Sequence, residues 1–358
     1  VDGTLLVNGT QVSPVVFTSL DTVSPARGDW VGIYVTASST GTVIDHAQIR
    51  WATRGVEVTG ATTATVSNSD IREFSSYGVD YEAGAGGLIS GNTIDNVDDV
   101  GQGIRLHNTV AVTVDANVVS NTQHGVVVAG SSSPVVVSGN TLQDNSNGIY
   151  VSGTADPQVT GNTIINNGYG VRVDAVYSNA TPAPVVTGND IYGNTSYDYY
   201  AERFGTAVNE TITLDATGNW WGTTDPLAIA VAIYDFRDNG TYSPFVDYSG
   251  FLAGSGGSVV PGNQLASVLG TNTTLAAGTT TTVLGTVRVP AGVTLTLKAG
   301  AQLQFVGGTR LWVDGTLLVN GTQVSPVVFT SLDTVSPARG DWVGIYVTAS
   351  STGTVIDH

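Results

Sequence analysis

Gly125-Val126-Val127-Val128, then Val135-Val136-Val137-Ser138-Gly139-Asn140-Thr141-Leu142, then Asn147-Gly148-Ile149-Tyr150-Val151 is the stretch that decides the fold. Apolar residues alternate with others in runs too short for a helix, and Gly, Asn and Ser break the runs. That is the pattern of short strands separated by turns. The glycine-led triplet returns at once, Gly148 lying 23 residues after Gly125.

Outward from this stretch the same triplet recurs at Gly32, Gly55, Gly78, Gly103 and Gly170, at spacings of 22 to 25 residues. A repeat of that length, built of strands, predicts a solenoid with one β-coil per repeat, because a single coil cannot bury its apolar side alone. A second line of residues keeps the same register: Asn68, Asn92, Asn117, Asn140, Asn162 and Asn189, continued by Asn219. Stacked coils would place these asparagines at one turn, where the residue tolerates left-handed backbone and its amide can bond along the stack.

The composition agrees. Glycine is 45 of 358 residues and charged residues are only 11%, which suits strands and turns rather than helices. There is no cysteine, so no disulfide and no thiolate metal site. No apolar run approaches the ~18 residues of a membrane-spanning helix. The net charge is −17 and Lys298 is the single lysine, which argues against nucleic acid as a partner.

The segment 135–151 resembles the right-handed parallel β-helix repeats of pectate-lyase-like proteins. Val289-Pro290-Ala291-Gly292-Val293-Thr294-Leu295 resembles the opening of such domains in secreted surface proteins, and Pro326-Val327-Val328-Phe329 with Gly340-Asp341-Trp342 does so too. Asn219-Trp220-Trp221-Gly222 resembles an element near their C-terminal end. The resemblance implies an all-β right-handed parallel β-helix and an extracellular or cell-surface location. It implies no single function, since the fold carries enzymes, adhesins and spacers.

Residues 1–46 and 313–358 are identical at all 46 positions. This reads as a window cut from a tandem array of 312-residue modules, the chain being a piece of something longer; the competing reading is an engineered duplication. The expected organisation is β-helix coils over 1–221, a cap over 222–252, a Gly/Ser/Thr connector over 253–285 and the start of a next module over 286–358. In the cap, Asp225-Pro226 ahead of Leu227–Tyr234 predicts a short helix with an Asp N-cap, among clustered aromatics such as Trp221, Phe236 and Phe245.

Polygalacturonases of this fold use three aspartates, a His-Gly and an Arg-x-Lys pair. Here His124-Gly125 is in register, Asp98-Asp99 lies too far upstream, Asp174 stands where the lysine should follow Arg172, and Ser75-Ser76-Tyr77 occupies the place of the Asn-Thr-Asp motif. The expectation is therefore no hydrolase or lyase activity and no catalytic residue. Asp95, Asp98 and Asp99 are weak calcium candidates, and no other cofactor is expected. Asp80 and Arg105 should pair across coils as a surface ion pair. Arg27-Gly28-Asp29, repeated as Arg339-Gly340-Asp341, is read as part of a turn rather than an adhesion signal. Seven sequons mark Asn8, Asn179, Asn194, Asn209, Asn239, Asn272 and Asn320 as candidate glycosylation acceptors, none of them on the asparagine line.

The function expected from these readings is a structural module of an extracellular fibre or stalk, its partners being copies of itself head-to-tail. The alternative is a carbohydrate-binding adhesin or degenerate carbohydrate-active module, with polysaccharide as partner.

Overall fold

Stacking of the chain on itself dictates the glycine at the head of each triplet. A Cβ on Gly55 would stand 2.4 Å from the carbonyl oxygen of Gly78, one on Gly78 2.6 Å from that of Gly103, and one on Gly125 2.6 Å from that of Gly148. No side chain fits such a gap, so the recurring glycine marks where successive coils touch backbone to backbone. The computed structural model describes all residues except Asp99, Asn179, Ala207 and Val208, and only the backbone of Tyr177 and Ser178.

Residues 1–203 and 204–358 form two units. In the first, each coil contributes one strand to each of three parallel sheets. Sheet A runs from Leu6–Asn8 through Thr42–Asp45, Thr63–Ser67, Gly86–Ser90, Val112–Asp115, Val135–Ser138 and Gln158–Thr160 to Val185–Thr187. Sheet B runs from Val15–Phe17 through Ala47–Arg50, Asp70–Arg72, Thr93–Asp95, Val118–Ser120, Thr141–Gln143 and Thr163–Ile165 to Asp190–Tyr192. Sheet C holds Ile33–Val35, Arg54–Thr59, Tyr77–Glu82, Gln102–His107, His124–Ala129, Asn147–Ser152, Tyr169–Ser178 and Tyr197–Phe204. The apolar positions of the triplets point inward: Val56, Val79, Ile104, Val126, Ile149 and Val171 are fully buried, one above another. The fold is the parallel β-helix that the 23-residue recurrence predicts.

The asparagine line is real from Asn92 onward. Asn92, Asn117, Asn140 and Asn162 each donate both the backbone N–H and the side-chain Nδ2 to the Oδ1 of the next asparagine, ending on Asn189, at 2.9–3.0 Å. Asn68 does not belong to it. Its place is taken by Ser69, whose N–H meets Asn92 Oδ1 at 2.9 Å, while Asn68 is exposed and bonds Asp45. The left-handed backbone falls on Asn68 as expected, but elsewhere one residue before the asparagine, on Gly91, Ala116, Gly139, Gly161 and Gly188. A second line, unforeseen from the sequence, runs from Thr122 through Asn145 and Asn167 to Asn194 and closes on Asp198.

The second unit has its own parallel ladders. Asn263–Leu265, Thr280–Val283, Gln302–Phe305 and Val328–Ser331 pair in that order, as do Thr273–Leu275, Thr294–Lys298, Thr316–Asn320 and Val355–Asp357. Residues 263–283 are thus coil of a solenoid and not a connector. The same alternation as elsewhere, carried by Thr rather than Val, puts Leu265, Leu275 and Val283 inside. The helix is Pro226–Val231; Asp225 caps it, its Oδ1 accepting from Leu227 N at 3.0 Å. Phe236 and Phe245 stack at 4.4 Å.

The identical segments share strand register and a turn. Leu6↔Val43, Val7↔Ile44 and Asn8↔Asp45 in one correspond to Leu318↔Val355, Val319↔Ile356 and Asn320↔Asp357 in the other. The Thr10–Ser13 bridge returns as Thr322–Ser325, with N–H···O distances of 3.1 Å in both.

Candidate functional site

Alternation turns the middle residue of each sheet C triplet outward, the glycine breaks the alternation so that the residue before it faces the same side, and coil-to-coil pairing lines both sets up. One outward column is Arg54, Tyr77, Gln102, His124, Asn147 and Tyr169. A second is Tyr34, Glu57, Asp80, Arg105, Val127, Tyr150 and Arg172. Glu82 and Asp174 lie on a third.

At one end of this face two arginines hold the ring of Tyr77 between them, Arg54 at 5.4 Å and Arg105 at 4.8 Å from its centroid. Arg54 pairs with Glu57. Arg105 Nη1 reaches Asp80 Oδ2 at 2.8 Å and Glu82 Oε2 at 3.3 Å. Asp80 is not the surface partner expected: it has no exposed area at all. Burial, helped by the charges of Glu82 and Glu57 and opposed by Arg105 and Arg54, pushes its carboxyl up to about 7. Its other oxygen, Oδ1, has no hydrogen-bond partner.

Further along, His124 stacks on Tyr150 at 5.1 Å and its Nδ1 lies 3.0 Å from Asn147 Nδ2. Arg172 lies 5.3 Å from the ring centre of Tyr169 and 5.6 Å from that of Tyr200. Asp174 is buried; it accepts from Arg203 Nε at 2.8 Å and from the Tyr150 hydroxyl at 3.2 Å. Gln102 Oε1, Asn147 Oδ1 and Arg172 Nε are buried and, like Asp80 Oδ1, without partner. This one face therefore combines stacked aromatic rings, paired charges and buried polar atoms without a hydrogen-bond partner.

The other sequence-predicted sites are dispersed. Asp95 Oδ1 accepts from Ser120 and Asn121 at 2.8 and 2.7 Å, Asp98 sits in left-handed backbone, and Asp99 lies outside the described residues. Among the described residues no group of three His, Asp or Glu is arranged around a cation. Arg27 is engaged by Glu73 at 2.9 Å and Asp29 by Ser19 at 2.6 Å, so the tripeptide is part of a turn. Of the sequons, Asn8, Asn272 and Asn320 are exposed and Asn239 half-buried. Asn194 belongs to the second asparagine line and Asn209 is buried with its Nδ2 on Gly240 O at 3.0 Å, so neither presents a free amide. Asn179 lies outside the described residues.

The sequence reading found the Tyr34-to-Arg172 column but missed the column one step before each glycine, where Tyr77, His124, Asn147 and Tyr169 stand. The signal was there: the residue before the triplet glycine is aromatic, basic or an amide in most coils.

The chain belongs to the right-handed β-helix family. The family model described as a right handed beta helix region matches residues 22–164 and 103–219, and one described as a pectate-lyase like beta helix domain matches residues 267–354. Among solved structures it is similar to a double mutant of the periplasmic alginate epimerase AlgG, at 11% identity over 96% of this chain and 77% of that one, with a TM-score of 0.38. It is also similar to the N-terminal fragment of the bacteriophage Phi29 gene product 12, at 11% identity over 96% and 70%, with a TM-score of 0.20. No curated protein matches.

The pectate-lyase-like match corrects the expectation of a chain without enzymatic activity. Residues 267–354, taken above as connector and opening coils, fall within a domain family named for a polysaccharide lyase. The incomplete polygalacturonase constellation concerns only that one arrangement of acids and bases. No helix among the described residues is long and apolar enough to cross a membrane.

Proposed function

We propose that this chain is a carbohydrate-active β-helix that binds a polysaccharide along the outer face of sheet C, outside the cytoplasm. The observation that carries the reading is the outward row of aromatic and charged side chains on that face, with Arg54 and Arg105 at 5.4 and 4.8 Å from the Tyr77 ring, His124 at 5.1 Å from Tyr150 and Arg172 at 5.3 Å from Tyr169. A chain of hydroxyl-bearing rings can lie along such a row, pairing its hydroxyls with the charged and amide groups and its apolar ring faces with the aromatic edges. Coils repeat at about 4.8 Å, so a linear polymer can meet successive coils with successive units.

Asp80, with its carboxyl pushed up to about 7, retains a proton into the neutral range, whereas Glu82 is the more exposed carboxylate on the same arginine. Cleavage of a glycosidic bond requires a proton donor and a second carboxyl group at the bond, so the bound polymer has to displace Arg105 and uncover Asp80, which is wholly buried in the free chain. The test is release of reducing ends from neutral and acidic polysaccharides. Wild-type protein should act on at least one of them, and Asp80→Asn and Glu82→Gln should each lose roughly 10²–10⁴-fold in rate. Neither cleavage nor retention of any polysaccharide would end this reading.

A second reading, a tandem rod of modules joined head-to-tail, is favoured by the duplicated segment. In residues 313–358 the strand Thr316–Asn320 rests on Thr294–Lys298, pairing Leu295↔Leu317 and Leu297↔Val319. By identity of sequence, the strand Leu6–Asn8 has the same edge to offer to such a coil. A coil like 294–313 fits that edge, whether supplied by the same polypeptide or by a second copy. Sedimentation and negative-stain imaging test it: concentration-dependent end-to-end particles support the contact between copies, and strictly single particles at all concentrations refute it.

A further inference from the structure

We propose a second saccharide site, separate from the sheet C face, in the cleft where sheets A and B of the first unit meet around His46. The cleft encloses about 400 Å³, within the range of small-ligand sites, and its lining includes Thr10, Gln11, Pro14, His46, Gln48 and Asn68. The inference does not rest on the polysaccharide reading of sheet C.

The backbone at this corner is tightly specified. His46 is in the left-handed region, with φ of 52°. Its carbonyl oxygen accepts from Val15 N at 3.1 Å, and a Cβ on Gly9 would stand 2.3 Å from that same oxygen. On the far side Gly91 is also left-handed, and a Cβ there would press on Asn68 Oδ1 at 2.8 Å. The Thr10–Ser13 turn forms one wall. The identical segment repeats the His turn itself: His358 has φ of 49° beside Asp357, as His46 does beside Asp45.

The chemistry selects a neutral polyol. His46 Nδ1 is 2.9 Å from Asp45 Oδ2, which fixes the ring and leaves Nε2 as its second polar atom. Asp45 is itself saturated: Ser67 and Asn68 donate to its Oδ1 at 2.8 and 2.9 Å. Burial alone would raise its carboxyl, but the bonds from Asn68, His46 and Ser67 hold it below the ordinary carboxylate range. Asp70 is likewise held by Arg50 and Arg72, at 2.6 Å each. With both carboxylates engaged, neither a cation nor an anion finds an uncompensated charge. What remains is a set of carboxamides from Gln11 and Gln48, the Thr10 hydroxyl and an imidazole nitrogen, all of which can pair with hydroxyl groups, over the apolar ring of Pro14.

The experiment is calorimetric titration of the full chain with cellohexaose, mannohexaose and xylohexaose, and with hexagalacturonate as the anionic comparison. At least one neutral hexamer should bind. His46→Ala and Gln48→Ala should each weaken it tenfold or more while keeping the wild-type circular dichroism, and Lys298→Ala, exposed in the second unit, should leave it unchanged. If none of the neutral hexamers binds, or only the anionic hexamer does, or binding survives both cleft variants, the assignment fails. Loss in Tyr150→Ala with the cleft variants intact would place the bound sugar on sheet C and likewise overturn it.

Discussion

Asn117 donates both its backbone N–H and its side-chain amide to a single oxygen, Asn140 Oδ1, at 2.9 Å each, inside the wall of the coil stack. The amide of Asn140 in turn reaches Val114 O, Ser138 O and Asn162 Oδ1. Each asparagine thus satisfies backbone groups of coils on either side, which is why the position is buried and polar at once.

Asn140→Leu removes that acceptor and strands the Asn117 N–H in the interior. Leaving buried groups unsatisfied costs about 1–3 kcal/mol each. Thermal unfolding should show a fall in Tm of several degrees, and an unchanged Tm would mean the line is not holding the coils together.

Gly125→Ala and Gly188→Ala separate two reasons for glycine. The first would force a Cβ to 2.6 Å from Gly148 O, whereas the second has open space but a φ of 67°. Left-handed backbone costs an L-residue about 1–2 kcal/mol, so Gly188→Ala should be mildly destabilised. Gly125→Ala should be hit harder, because the coils themselves must part. Urea midpoints for the two variants check the order.

Asp80 makes stability depend on pH in a direction opposite to that of an ordinary ion pair. Burial raises its carboxyl from 3.8 to about 7, so between these values the folded chain holds a proton that the unfolded chain has released. Its contribution is fully present below pH ~4 and is lost as pH rises towards ~7. Asp198 and Asp235, both raised to about 6 by burial, act with the same sign. Across pH 4–8, Tm of Asp80→Asn should fall less steeply than that of wild type; parallel curves would show that Asp80 titrates normally.

Glycan occupancy should follow exposure rather than the sequon. Expressed in a glycosylating host, Asn8, Asn272 and Asn320 are the expected acceptors. Asn194 and Asn209 should stay bare, because their amides are built into the fold. Peptide mass spectrometry decides, and a modified Asn209 would contradict the burial seen here.

The fold was legible because it is a local repeat: a glycine every 22–25 residues and inward Val, Ile and Leu between them need no knowledge of distant contacts. The site was less so. Position 80 could be placed on the outer column and paired with Arg105, but spacing does not encode that the carboxyl is wholly buried there. Residues 263–283 were misread for a related reason. Thr and Ala can line a coil as well as Val does once neighbouring coils cover them, and their small hydropathy conceals it. Asn68 was misplaced by one residue because Asn serves both the left-handed turn and the ladder position, and only the pairing with Asn92 separates the two.

The measurement that bears most directly on the central claim is hydrogen exchange of the full chain with and without a polysaccharide it retains or cleaves. The outer face of sheet C predicts slowed exchange in the strands Tyr77–Glu82, Gln102–His107, Asn147–Ser152 and Tyr169–Ser178, lost in Arg105→Ala. Bound polysaccharide with those strands unchanged would contradict it.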